Sequence, residues 1–208
     1  MLFRSISCTK NKAFPFLIVD DFYTSTEQDL IWKELESYQH LFKVDTKTNG
    51  QGVATKDGKP LANLKRIYLE ELYPFPNDRQ YSNILTAYRK IISKEVIENY
   101  KKTTPAGKQF EITGSDCTLI NYYDDSHNYG EHFDSFMHTV FVWFYKEPKR
   151  FKGGNLIFSE SNETVECIHN RMLMFPSYYL HEVTEIQMEE EYKNKGLGRY
   201  CITHFYSK

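Results

Sequence analysis

The sequence lacks a long hydrophobic run: charged residues interrupt its 40% hydrophobic content throughout. No stretch therefore approaches the ~20 apolar residues that a membrane-spanning helix needs, and the membrane is not expected as a partner. Charge of one sign is also lacking, since 26 Lys and Arg stand against 28 Asp and Glu for a formal net charge of -2. Such a balance gives no broad electrostatic footprint for nucleic acid or an anionic surface, and nucleic acid is likewise not expected. Cysteine is sparse. Cys8, Cys117, Cys167 and Cys201 lie far apart and form no CxxC pair, so they are read as reduced thiols. Met1 to Lys10 has no cleavable apolar segment, which makes a cytoplasmic location the expectation. No internal repeat and no low-complexity stretch is present.

Aromatic residues, by contrast, are abundant. They make up 16% of the 208 residues, and ten of them fall between Tyr122 and Phe151. Rings at that density point to a sheet-rich core or a lined pocket and argue against disorder. The length suits one domain over 1–208, with an N-terminal strand and helices at about 14–104 and a β core at about 110–206.

In the N-terminal part, Phe14 to Phe22 reads as a buried strand ending at Asp20 and Asp21. Thr24, Ser25, Thr26 and Glu27 then supply N-cap residues and an acidic first turn, followed by a stripe through Leu30, Ile31, Glu34, Leu35 and Tyr38. Asp45 to Asn63, with Gly50, Gly52 and Gly58, is expected to be a loop holding at most a loose hairpin, either a plain surface connection or a lid over a site. Tyr81 to Tyr100 is expected to form a second helix.

After Pro105 the pattern changes to short β-favouring runs: Cys117–Tyr123, His132–Asp134, Thr139–Tyr145, Asn155–Ser159, Thr164–Ile168, Arg171–Pro176, Glu182–Ile186 and Arg199–Tyr206. Helices first and strands afterwards predict an α+β fold, a barrel or sandwich with the helices packed on one side. His169-Asn170 is expected to turn a hairpin, with Asn170 at positive φ.

Three features carry chemistry. In His132-Phe133-Asp134, side chains two apart along a strand share a face, so His132 and Asp134 can reach one metal. His181, 47 residues after Asp134, follows an apolar strand and could return to the same place. Two imidazoles and one carboxylate, with no fourth protein ligand, make the facial set of non-haem Fe(II) oxygenases and not a closed zinc site. Arg199 shares its strand face with Cys201, Thr203 and Phe205, and a guanidinium turned inward there needs a carboxylate, from an acid of the chain or from a ligand.

In order, HFD, TVFVWFY, GGNLIF, RMLMFPSYYLHEV and RYCITHFY resemble the Fe(II)- and 2-oxoglutarate-dependent dioxygenases, specifically the prolyl 4-hydroxylase-like branch. That resemblance implies a double-stranded β-helix, the jelly-roll or cupin-like core of eight strands. It implies Fe(II) held by His132, Asp134 and His181, 2-oxoglutarate with its distal carboxylate on Arg199, O2 as oxidant, and ascorbate as a further candidate cofactor. Tyr123 and Tyr129, nine and three residues before His132, would contact or wall the co-substrate, with Tyr122 as the alternative to Tyr123.

The family's basic residue usually follows the second histidine more closely than the eighteen residues found here. The charged stretch QMEEEYKNKGLG reads as an insertion, with Lys193 or Lys195 as the alternative to Arg199. The implied reaction is oxidative decarboxylation of 2-oxoglutarate to succinate and CO2, coupled to hydroxylation of a C–H bond. A peptidyl proline in a protein or peptide is the first expectation for the substrate, and a free amino acid or other small molecule the second. The rival is a non-catalytic metal-binding β-barrel acting as a sensor or interaction module. Asp134 argues against halogenation, and Phe205, where nucleic-acid demethylating relatives carry a second Arg, argues against that substrate. His127 and His138 are candidates for residues that support the metal ligands.

Overall fold

The computed structural model describes residues 5–9, 12–45 and 52–208. Each β-favouring run of the C-terminal half contains or adjoins a strand, and these strands build two antiparallel sheets. The larger sheet runs, in spatial order, Ser5–Cys8, Leu17–Asp20, Met172–Pro176, His138–Phe144, Arg199–Ser207, Ser115–Tyr123, Lys65–Tyr68 and Lys43–Val44. The smaller runs Glu163–Val165, Leu156–Phe158, His181–Val183, Asn128–His132 and Ala62–Asn63. Each sheet takes four strands from the C-terminal half, Phe151–Lys152 pairs with Gln187–Met188 as a separate ribbon, and the fold is an α+β double-stranded β-helix.

Period-two alternation assigns each residue to one of two cores. Phe141, Trp143, Leu173, Phe175 and Cys201 point between the sheets. Their neighbours Val140, Val142, Phe144, Met172, Met174, Tyr200 and Ile202 point outward, where the helices cover them. Both faces of Arg199–Ser207 are therefore buried. Each large apolar side chain removed from water here stabilises the fold by about 1.5–3 kcal/mol.

The helix Ser25–Ser37 starts as the sequence predicts: Thr24 and Glu27 form a capping box. Ile31 and Leu35 are buried in the outer core, and Trp32 meets Phe144 and Tyr200. Glu34, the acid within that stripe, is also buried. Its carboxylate accepts the hydroxyls of Tyr38 and Ser82 and the N–H of Ile84, at 2.7, 2.5 and 3.0 Å, which ties this helix to the start of the next.

The second helix does not run unbroken from Tyr81 to Tyr100. It divides into Asn83–Ala87, a 3-10 turn at Tyr88–Ile92, and Lys94–Thr103. Ser93 causes the break: its backbone is extended and its hydroxyl accepts the Val96 N–H, so it caps a new helix in place of continuing the old one. Within the expected loop, Thr55–Lys56 pairs with Lys59–Pro60 as a small hairpin and Ala62–Asn63 joins the smaller sheet; Gly50 lies outside the described residues. Asn170 has φ 59°, and its side chain holds the backbone of Tyr23 through two hydrogen bonds of 2.8 Å.

Candidate metal centre

The pairing of Asn128–His132 with His181–Val183 sets His132 opposite His181. The strand ends at His132, so Asp134 lies just beyond it and not on it, as i, i+2 alternation in a strand would have had it. Asp134 is held instead by the turn: its N–H donates to the Ser177 carbonyl at 2.9 Å. The ligand atoms of His132, Asp134 and His181 all lie within 4.8 Å of one another. Each Nε2 stands 3.7 Å from a different Asp134 oxygen.

Surrounding groups fix the direction of all three side chains. Nδ1 of His132 donates to the Gly130 carbonyl and Nδ1 of His181 to the Tyr179 carbonyl, each at 2.8 Å, which leaves both Nε2 lone pairs facing the common point. Thr139 donates its hydroxyl to Asp134 Oδ2 at 2.6 Å and stands 2.8 Å from the Ser177 hydroxyl. Burial, reinforced by His181, pushes the His132 imidazole down to about 4, so it is neutral at physiological pH and able to ligate. This donor set fits a cation such as Fe(II), with one face left open.

The cavity below these residues measures about 750 Å³ and is walled by both sheets. Arg199 closes one end, only 1% exposed, paired across the sheet with Tyr123. Its guanidinium lies 4.6 Å from the Tyr123 ring and 5.5 Å from that of Trp143. Its Nε and Nη1 have no hydrogen-bond partner, and no carboxylate pairs with it among the described residues. A buried guanidinium with bare donors is costly unless an anion meets it, and a dicarboxylate fits that vacancy of charge.

Behind Arg199, Gly153 and Gly154 have φ of 76° and 72°; a Cβ on Gly154 would stand 2.9 Å from Arg199 Cδ and 2.6 Å from Ile186 Cδ1. Tyr123 lines the cavity. Tyr122, its alternative, lies in the outer core and donates to Asp124. Lys193 pairs with Asp125 and Glu190 and lines no part of the cavity. Lys195 is exposed. Tyr129 stacks on His132 with ring centroids 3.6 Å apart, and its hydroxyl accepts the Ala54 N–H at 2.8 Å.

Residues 117–207 match the family model of the 2OG-Fe(II) oxygenase superfamily. That segment, which holds His132, Asp134, His181 and Arg199, is thus similar to the 2OG-Fe(II) oxygenases. Comparison of the chain with curated protein sequences finds no match. Among solved structures, the chain is similar to a prolyl hydroxylase from Trichoplax adhaerens in complex with a hypoxia inducible factor peptide fragment, with TM-score 0.56, 17% identity and coverage of 92% of this chain and 83% of that one. It is also similar to a prolyl-4-hydroxylase from Pseudomonas putida, with TM-score 0.59, 13% identity and coverage of 93% and 92%. NgTET1 in complex with 5mC DNA matches with TM-score 0.52, 12% identity and coverage of 92% and 71%. At these identities the likeness is one of fold, and fold alone does not choose among substrates.

No sequence motif marks several other residues of the site. Thr139 and Ser177 reach Asp134 only because their strands end beside it. Arg66, buried in the cavity wall, donates to Asn121 at 2.7 Å, to Asp45 at 3.0 Å and to Tyr68 at 3.2 Å. His127 and His138 do not support the metal ligands. His127 accepts the Asp124 N–H within its own turn, and His138 faces the helices, between Tyr100 and Phe110.

Proposed function

We propose that the protein hydroxylates a peptidyl proline, with His132, Asp134 and His181 holding Fe(II) and Arg199 holding the distal carboxylate of 2-oxoglutarate. Fe(II) with 2-oxoglutarate and O2 supplies the oxidation: the co-substrate yields succinate and CO2, and one oxygen atom enters a C–H bond of the substrate. The observation that carries the reading is Arg199, a fully enclosed guanidinium with bare donors in the same cavity as the His-Asp-His set.

The chain's own residues do the rest. Gly130 and Tyr179 carbonyls keep the two imidazoles in the ligating tautomer. Thr139 holds the carboxylate of Asp134 in place. Tyr123 and Trp143 cover the Arg199 guanidinium and keep water from it, while Tyr129 walls the metal side. Phe205 gives the substrate end an apolar wall. A peptide substrate is supported by the fold likeness to a prolyl hydroxylase bound to a peptide.

Anaerobic addition of Fe(II) and 2-oxoglutarate should produce a visible charge-transfer band. Aerobic addition of a proline peptide should release succinate in step with hydroxylated peptide, and His132→Ala should abolish both. Metal binding without 2-oxoglutarate binding would favour a non-catalytic metal-binding module, and turnover confined to free amino acids would replace the peptide.

A further inference from the structure

The cavity floor is laid out in rows by strand register, and its charge changes along them. Arg199 pairs with Tyr123 at the closed end; Cys201 with Asn121, and Asn121 with Arg66, form the next row; Phe205 with Cys117 lies at the far end. Six steps along the strand lead from Arg199 to Phe205, about 20 Å. The positive end is the closed one. Arg66, the next cation along the floor, is already bonded to Asp45, Asn121 and Tyr68.

The far end is open and of opposite character. Phe136 stacks on Phe205 with centroids 4.4 Å apart and planes 13° apart, presenting an aromatic wall that is partly exposed. Glu70, which follows the strand Lys65–Tyr68, lines the same end of the cavity. One of its oxygens accepts the Thr118 N–H, and no ion pair is made to it among the described residues. Burial raises its pKa, while the Thr118 N–H and the more distant charge of Arg79, itself paired with Asp116, act the other way.

A carboxylate beside an aromatic wall is the surface that a cationic side chain recognises, the charge meeting the acid and the stem lying on the rings. We propose that Glu70 is a specificity-determining residue that selects peptides carrying Lys or Arg next to the residue to be hydroxylated, the head group on Glu70 and the stem along Phe136 and Phe205. This rests on the hydroxylase reading above. The charge layout then sorts the two ligands, the dicarboxylate to the closed positive end and the basic peptide to the open acidic one.

The test uses the full chain with Fe(II), 2-oxoglutarate and proline peptides identical except for Lys, Gln or Glu flanking the proline on either side. Succinate release should give kcat/KM in the order Lys, Gln, Glu, with at least about tenfold between the extremes, the scale of one charged hydrogen bond. Glu70→Gln keeps an acceptor for Thr118 and should bring the Lys-to-Gln ratio near one; Glu70→Lys should reverse the order. If Glu70→Lys does not fold, the Glu70→Gln ratio decides.

Peptide turnover with no charge preference, or a preference unchanged in Glu70→Gln, overturns this inference and leaves the hydroxylase reading standing. Turnover of free lysine or arginine alone overturns the peptide form of both. Absence of the charge-transfer band and of all succinate release overturns the hydroxylase reading, and the inference with it.

Discussion

The Tyr129 ring lies flat on the His132 imidazole, 8° from parallel, while its hydroxyl takes the N–H of Ala54. One side chain therefore joins the candidate metal centre to the segment that precedes the Thr55–Lys56 hairpin. Tyr129→Phe keeps the stack and removes the acceptor. The Ala54 amide should then exchange faster with solvent, and stability should fall by about 1 kcal/mol. Hydrogen exchange and urea unfolding check both, and an unchanged Ala54 rate would show that the bond does not hold the segment.

Thr139→Val preserves shape and deletes the hydroxyl that orients Asp134. Loss of such a supporting bond typically weakens metal binding by about 10–100-fold. Titration with Fe(II) under anaerobic conditions should show that loss, while urea unfolding without metal changes little.

Replacing Arg199 by Met should move two properties in opposite directions. The guanidinium lacks partners for Nε and Nη1, so an apolar side chain of similar length should leave the ligand-free protein at least as stable. The proposed carboxylate contact is lost at the same time, weakening 2-oxoglutarate binding by about 30-fold or more. Thermal unfolding with and without 2-oxoglutarate reads both effects; full stabilisation of the variant by 2-oxoglutarate would refute the assignment of Arg199.

Acid should destabilise the fold through histidines remote from the cavity. Burial pushes His138 from 6.5 down to about 4 and His204 from 6.5 to about 3. Both are neutral in the folded protein, whereas in the unfolded chain they take up protons below about 6.5. Unfolding thus binds protons in this window, so stability is full above pH 6.5 and declines as pH falls toward 4. Urea midpoints at pH 7.5, 6 and 5 should fall in that order, and His138→Phe should flatten the decline.

The sequence made the β-helix legible because alternation is a local property. The inward set of Arg199, Cys201, Thr203 and Phe205 could be read from one strand, and all four line the cavity. HFD and His181 were legible as residue types, though Asp134 reaches its place by a turn anchored on Ser177 and not by strand alternation. Thr139, Asn121, Arg66 and Glu70 were not legible, because strand pairing between distant segments brings them to the cavity. Ser93 carries a local signal as a helix cap, masked by the apolar stripe on either side of it. His138 looked close to the centre by sequence distance, yet its strand turns it to the opposite face of the sheet.

The glycine at 154 gives the pocket a fixed length. With no side chain there and no room for one, the backbone stands directly against the Arg199 stem, so the guanidinium has little freedom to advance or retreat as different acids enter. Under the proposed assignment the site gauges its co-substrate by a rigid span from metal to arginine. A 2-oxo diacid one methylene shorter should fail to bridge it, and one methylene longer should fail to fit.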